Sequence, residues 1–379
     1  MIQNKGGKEM LKVILDVDDV LNDCNQIAVE RLNREKRTRF HLEDITKWGL
    51  LHNDLDLRLN YFESPDFMKN LPAKKGAHDF VKELSKISEV FVATAIHKNC
   101  AGIRIDQIFH DFPEVEPGNI IIGERKNILL ADVLLDDAYH NIASSNVKYP
   151  VLFDRPWNRH VTGIPRVSDY KEFLGLIQLL SKPSLEKEVN LIVLVGPSAS
   201  GKSSLADLLL KTKGDSLEKV ESFTTRSPRF KGERYHFVSK KEFLALQKKG
   251  YFLETTIYKG QYYGTAWEDM QPSKKKKLLV VDINGALRIK EKYPENTLLI
   301  YVDREKERLI ESILQRNLAT KETIERIISI DQEEKNKNFC DFIVDNNRSL
   351  QEAADDIWDC IYKTHFPAKD ILKKSDMSK

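Results

Sequence analysis

Val195-Gly-Pro-Ser-Ala-Ser-Gly-Lys-Ser-Ser204 is the stretch on which the reading of this chain turns. It closes the apolar run Leu191-Ile-Val-Leu-Val195, opens the helical pattern Leu205-Ala-Asp-Leu-Leu-Leu210, and fits G-x-x-x-x-G-K-[ST] at every fixed position. Glycines at 196 and 201 let successive backbone N–H groups face one concavity, and the positive end of the following helix adds to their field. Lys202 then reaches the β- and γ-phosphates of a nucleoside triphosphate, and the Ser203 hydroxyl is placed to ligate Mg²⁺. Gly196, Pro197, Ser198, Ala199, Ser200, Gly201, Lys202, Ser203 and Ser204 are the expected triphosphate-binding residues.

With 379 residues the chain exceeds one ordinary core and is expected to form two domains. Apolar residues at 41% and charged residues at 31% fit a soluble globular protein, and no run approaches the roughly 18 apolar residues of a membrane span. The N-terminus lacks an apolar signal region, and Cys24, Cys100, Cys340 and Cys360 form no C-x-x-C pair, so a cytoplasmic protein without a disulfide framework is expected. A formal charge of +2 gives no whole-molecule attraction to a polyanion. Lys274-Lys-Lys-Lys277 is read as a solvated turn before the strand Leu278-Leu-Val-Val281, and the polar segment 366–379 as a frayed tail.

Both halves alternate short β-branched runs with helical stretches, the rhythm of parallel α/β sheets. Strands are expected at Leu11–Leu15, Val90–Ala93, Asn119–Ile122, Val133–Leu135 and Val151–Phe153. Three of these lead directly into Asp16, Thr94 and Asp136, where open α/β sheets bind their ligands. The helical stretch Tyr170–Leu180 closes the first domain, taken as 1–181. A polar, proline-containing linker, 182–188, precedes a second domain, 189–365.

Asp16-Val-Asp-Asp-Val20 sets acidic side chains directly after a strand, and residues two apart at a strand end point the same way, so Asp16 and Asp18 are expected to converge. Asp136-Asp137 follows Val133-Leu-Leu135 in the same manner. Convergent carboxylates repel unless a cation joins them, and Mg²⁺ is a hard ion that takes carboxylate and phosphate oxygens together. Asp16, Asp18, Asp136 and Asp137 are therefore the expected metal ligands of this half.

With Thr94, Lys126, Phe67-Met-Lys-Asn-Leu-Pro72 and Leu152-Phe-Asp-Arg-Pro-Trp-Asn158, residues 10 to 180 resemble the haloacid dehalogenase-like phosphatases, and within them the 5′(3′)-deoxyribonucleotidases. The resemblance implies a Rossmann-like fold with a small helical cap at about 23–71. It implies Asp16 as the nucleophile that forms an aspartyl-phosphate, and Asp18 as the acid and base. Lys126 would neutralise charge and Thr94 would hydrogen-bond the phosphoryl group. Trp48, Tyr61 and Phe62 are expected in the core of the cap. Ala95-Ile-His97 stands where the family has a small polar residue and proline, and His97 is read as a loop histidine.

Downstream of the phosphate loop come Ser222-Phe-Thr-Thr-Arg-Ser-Pro-Arg229, Gly232-Glu-Arg-Tyr-His-Phe237, Gly250-Tyr-Phe-Leu-Glu254 and Gly260-Gln-Tyr-Tyr-Gly-Thr265. In this order they resemble guanylate kinase over about residues 189 to 363, implying a P-loop nucleoside monophosphate kinase fold with a parallel sheet and ATP as phosphoryl donor. The resemblance assigns Arg226, Arg229, Tyr235 and Tyr263 to the acceptor phosphate, and Glu254 to the guanine edge. Ser222, Thr265 and Asp282 complete the acceptor pocket, and Arg316 and Arg326 act as lid arginines. Departures are a shortened segment between Arg229 and Tyr235, Ser312 in place of another lid arginine, Asn317 in place of a glycine, and Val280 where an aspartate is common.

The combined expectation is a bifunctional α/β enzyme of nucleotide metabolism. One site would dephosphorylate nucleoside 5′-monophosphates, of a pyrimidine deoxynucleotide by preference, and the other would phosphorylate GMP or dGMP. Two alternatives are a polynucleotide kinase-phosphatase that heals nucleic-acid ends and an inactive guanylate kinase-like binding scaffold. The expected partners are small-molecule nucleotides, with neither nucleic acid nor a membrane, and self-association into a homo-oligomer is left open.

Overall fold

The computed structural model describes residues 10–181, 189–228, 231–316 and 318–362. The linker at 182–188, the tail at 366–379, Arg229 and Asn317 lie outside the described residues. The chain divides into two units, the first holding residues up to 161 with 165–181, the second holding 162–164 and the residues after the linker.

In the first unit β1 (Leu11–Leu15), β2 (Ser88–Thr94), β3 (Ile120–Ile122), β4 (Val133–Asp136), β5 (Tyr149–Phe153) and β6 (Arg166–Val167) form one parallel sheet in the order β3-β2-β1-β4-β5-β6. Val13, Leu15, Val133, Leu135, Val151 and Leu152 are fully buried, as continuous apolar strands covered on both faces require. Strand order reverses between β1 and β4, so their carboxyl ends open the crevice of a doubly wound sheet. The two-residue β6 was not among the expected strands, being too short to carry a periodic signal.

Between β1 and β2, in the segment expected to form a cap, lie the helix Cys24–Lys36, 3₁₀ turns at Leu42–Asp44 and Asp54–Glu63, and the short helix Pro65–Lys69. Val29, Leu32, Ile45 and Leu55 form its buried centre together with Trp157. Tyr61 packs against this centre and, with Phe62, against a second buried group that includes Phe67, Met68 and Leu71. Trp48 does not: it is 51% exposed, with its ring 6.4 Å from Trp157 and 5.4 Å from His140.

The second unit has a parallel sheet of β7 (Leu191–Val195), β8 (Leu217–Lys219), β13 (Lys276–Val280), β14 (Thr297–Asp303) and β15 (Phe342–Asp345), ordered β15-β14-β7-β13-β8. A smaller mixed sheet, β10-β9-β12-β11, contains β9 (Phe223–Thr224), β10 (His236–Phe237), β11 (Phe252–Tyr258) and β12 (Gln261–Ala266). Half of the lysine run departs from the turn expected for it. Lys276 and Lys277 belong to β13, where Lys277 Nζ lies 2.9 Å from Glu218 and Lys276 Nζ donates to Val189 O at 2.5 Å, so each ammonium finds an acceptor beside the strand.

The Arg-Pro-Trp-Asn run after β5 has a structural basis. Asn158 Nδ2 donates to Asp137 O and Phe153 O, both at 2.8 Å, joining the ends of β4 and β5, while its Oδ1 accepts from Arg155 N and Arg166 Nη1. Asn158→Ala leaves these buried groups unpaired and should destabilise the first unit by about 2–4 kcal/mol. A urea melt should show its transition at lower denaturant, with that of the second unit unmoved.

Candidate active sites

The first site stands at the carboxyl ends of β1, β2 and β4. Asp16 N donates to Leu135 O at 3.0 Å, which fixes the nucleophile candidate against the neighbouring strand. Oxygens of Asp16, Asp136 and Asp137 all lie within 4.8 Å of one another, and all three side chains are buried. Lys126 reaches in from the turn after β3, its Nζ 2.7 Å from Asp16 Oδ1 and 2.7 Å from Asp136 Oδ2. Burial works against its charge, but the two carboxylates outweigh it and hold the ammonium protonated. Thr94, fully buried, ends β2.

One ammonium set among three carboxylates leaves the cluster short of positive charge. Burial pushes Asp16 up to about 7 and Asp137 well above the usual carboxylate range. Asp137 Oδ2 accepts from Trp157 Nε1 at 2.8 Å, whereas Oδ1 is buried with no hydrogen-bond partner. An orphaned carboxylate oxygen in an all-oxygen, over-acidic cluster fits a hard divalent cation such as Mg²⁺.

Asp18 does not join this group. β1 ends at Leu15, and the chain turns through Asp19 at φ 60°, so the alternation that would have aligned Asp16 with Asp18 is already lost. Asp18 Oδ1 instead accepts from Arg104 Nη2 at 2.8 Å and Asn22 Nδ2 at 3.0 Å. Arg104 is 1% exposed on the helix Ala101–Asp111, and nothing in the periodicity of that helix distinguished it from a surface arginine. His97 caps the following turn by accepting from Asn99 N, as befits a loop histidine.

The second site is built around the turn between β7 and the helix Lys202–Lys213. Gly196 and Gly201 adopt φ of 148° and 94°, and a Cβ on the first would lie 2.7 Å from Val302 O, while one on the second would strike Asn346 Nδ2. Asn346 donates to Ser200 O at 2.7 Å and pins the loop to the end of β15. Ala199 is left-handed at φ 71°, its buried methyl set against Leu309, Ile313 and Ile330. Lys202 Nζ donates to Gly196 O and Pro197 O, both at 2.7 Å, and Ser203 and Ser204 lie exposed at the loop's end. Ser198 Oγ accepts from Arg326 Nη1 at 2.5 Å and Arg316 Nη1 at 3.3 Å, so both lid candidates reach the loop.

A cavity of about 670 Å³ runs from this loop to Ser222, Tyr235, Glu254, Tyr263 and Asp282. At its far end Glu254 Oε1 accepts from Thr265 Oγ1 at 2.6 Å, while Oε2 is buried without a partner. Burial pushes this carboxyl up to about 7. Asp282 accepts from Thr256 Oγ1 and Gly285 N, both at 2.9 Å. Thr265 thus stands behind Glu254 rather than on the cavity wall. Arg226 also stands back, paired at both nitrogens with Glu233 and 4.8 Å above the Tyr235 ring. Val280 lines the cavity as an apolar wall. Glu333, buried at the cavity edge and accepting from Tyr258 OH at 3.1 Å, was not anticipated, since one glutamate on a charged helix carries no signal of its own.

Two sites made for phosphoryl groups, each at the carboxyl ends of parallel strands, define a two-domain phosphoryl-transfer enzyme. Residues 9–183 match the family of 5′ nucleotidase, deoxy (Pyrimidine), cytosolic type C proteins, and residues 188–364 match guanylate kinase. The 5′(3′)-deoxyribonucleotidase of Bacillus subtilis is 30% identical over 171 residues, which are 43% of this chain and 96% of that protein. The guanylate kinase of Wolinella succinogenes is 39% identical over 171 residues, 43% of this chain and 79% of that protein. That of Halalkalibacterium halodurans is 31% identical over 199 residues, 50% of this chain and 96% of the relative. The chain therefore belongs to both families, the first half to the deoxyribonucleotidases and the second to the guanylate kinases, and it is a bifunctional enzyme of nucleotide metabolism. Among the described residues no helix is long and apolar enough to cross a membrane.

Trp157→Phe removes the donor to Asp137 while keeping an aromatic ring in the cap. Calorimetric titration should show Mg²⁺ affinity at the first site falling by about 10–100-fold. An unchanged isotherm contradicts the placement of Asp137 in the metal shell.

Proposed function

We propose that the first unit hydrolyses deoxynucleoside 5′-monophosphates, pyrimidine ones by preference, and that the second transfers a phosphoryl group from ATP to GMP or dGMP. The observation that carries the kinase half is one cavity holding both the phosphate loop and a buried, unpartnered carboxylate oxygen on Glu254. Guanine presents two neighbouring donors, N1–H and the 2-amino group, which a carboxylate accepts together.

In the first site Asp16 Oδ1 is engaged by Lys126 Nζ and Val17 N, and Oδ2 is the oxygen assigned to attack phosphorus. Attack forms an aspartyl-phosphate as the bond to the ribose oxygen breaks, with Asp18 delivering a proton to that oxygen. Asp18 then takes a proton from the water that hydrolyses the intermediate, held on station by Arg104 and Asn22. Asp16, Asp136 and Asp137 would hold Mg²⁺, which supplies neutralisation of the incoming phosphate charge.

In the second site, Lys202 exchanges its loop carbonyls for the donor's phosphates, and Ser203 would ligate the accompanying Mg²⁺. Tyr235 and Tyr263 offer hydroxyls to the acceptor phosphate, and Arg226 exchanges Glu233 for it. Arg229 is assigned the same role by the family pattern alone. Arg316 and Arg326 stabilise the charge that develops during in-line transfer. A phosphatase and a kinase acting on one nucleotide would only hydrolyse ATP, so the two units are assigned different bases. We place the enzyme in the cytoplasm, consistent with Cys24, Cys100, Cys340 and Cys360 forming no disulfide.

Screening all ribo- and deoxynucleoside monophosphates, with and without ATP, tests both halves when phosphate and diphosphate are read together. Asp16→Asn should cut phosphate release by at least about 10³-fold and leave diphosphate formation intact, and Lys202→Ala should do the reverse. A kinase confined to pyrimidine acceptors overturns the guanine assignment. Guanine binding needs Glu254 ionised, and its carboxyl is pushed up to about 7, so KM for GMP should rise as pH falls below 7. In Glu254→Gln that pH dependence should vanish, with KM raised by about 10-fold or more throughout.

A further inference from the structure

Resting on the guanylate reading of the second site, we propose that Gly285 is a positioning residue for the base-reading carboxylate, and thereby sets acceptor specificity. Gly285 occupies the first turn of the helix Ile283–Lys292. Its backbone is not in the left-handed region, so the conformation there demands no glycine, and alanine is the better helix former. Space is what excludes alanine. A Cβ on Gly285 would lie 2.9 Å from Glu254 Oε2, 3.2 Å from Glu254 Cδ and 3.4 Å from Asp282 Oδ1.

The contact falls on the one oxygen of Glu254 that no protein group holds. Its other oxygen is tied to Thr265 Oγ1 at 2.6 Å, and the residue is 5% exposed. Asp282 Oδ1, held by the amide of Gly285 while Oδ2 takes Thr256 Oγ1, lies 3.4 Å from the same Cβ, so the added methyl has no room to lean away from Glu254 on that side. A methyl group therefore turns Oε2 out of its place, and the base must follow it or lose a hydrogen bond. Hydrogen bonds between a carboxylate and amide-type donors hold only over about 2.7–3.2 Å, so a shift of a few tenths of an ångström is enough to disturb both.

Gly285→Ala in the full-length protein tests this. KM for GMP should rise about tenfold or more, while KM for ATP and phosphate release by the first unit stay within twofold of wild type and the melting temperature does not fall. In a Glu254→Gln background the same change should add less than about twofold, because the carboxylate it displaces is no longer the reader. A KM for GMP within twofold of wild type overturns the proposal. So does a fall in melting temperature with ATP and GMP weakened alike, which marks a merely structural glycine. Wild-type protein that leaves GMP unphosphorylated refutes the guanylate reading itself, and this inference falls with it.

Discussion

Phosphate is a dianion, and a protein that grips it must gather positive potential in a place where its own backbone can spare it. Both units meet this constraint at the end of a strand buried on both faces. β1 and β7 cannot continue past Leu15 and Val195 without exposing polar groups, and each gives way to a turn whose amides and side chains point into a crevice. In one case the turn presents carboxylates that need a cation to coexist; in the other it presents bare N–H groups at a helix start. The remainder of each unit holds that turn still: Asn158 ties β4 to β5 beside the first, and Asn346 ties β15 to the loop beside the second.

The two sites solve the electrostatic problem with opposite inventories. The first is over-supplied with acid and keeps a single lysine buried between two of its carboxylates. The second is rich in arginine and lysine, and among the described residues Lys202 is engaged on loop carbonyls, Arg326 and Arg316 on Ser198, and Arg226 on Glu233. On the function proposed, ligand binding there exchanges these partners for phosphate. Exchange favours ligands that offer more acceptor oxygens than the groups they displace, as phosphate does with its paired sites for a guanidinium fork.

Legibility in the sequence followed locality. The phosphate loop, the acidic pairs after β1 and β4, and the strands beneath them could be read because a few consecutive residues carry the whole signal. Lys126 and Glu254 were reached only through family resemblance, since an isolated charged residue in a turn or strand has no pattern of its own. Arg104, Glu333 and Asn346 escaped altogether, for their partners lie 86, 75 and 146 residues away in the chain. Asp18 was misplaced by carrying strand alternation one step beyond the strand, where the left-handed turn at Asp19 redirects it.

The joining of two units in one polypeptide has a consequence of its own. Every ribosome that makes one catalyst makes the other, so their molar ratio is fixed at unity and no promoter can tune it. The balance between the two activities is then written entirely into the selectivities and turnover of the two pockets, and a single codon change in either resets it.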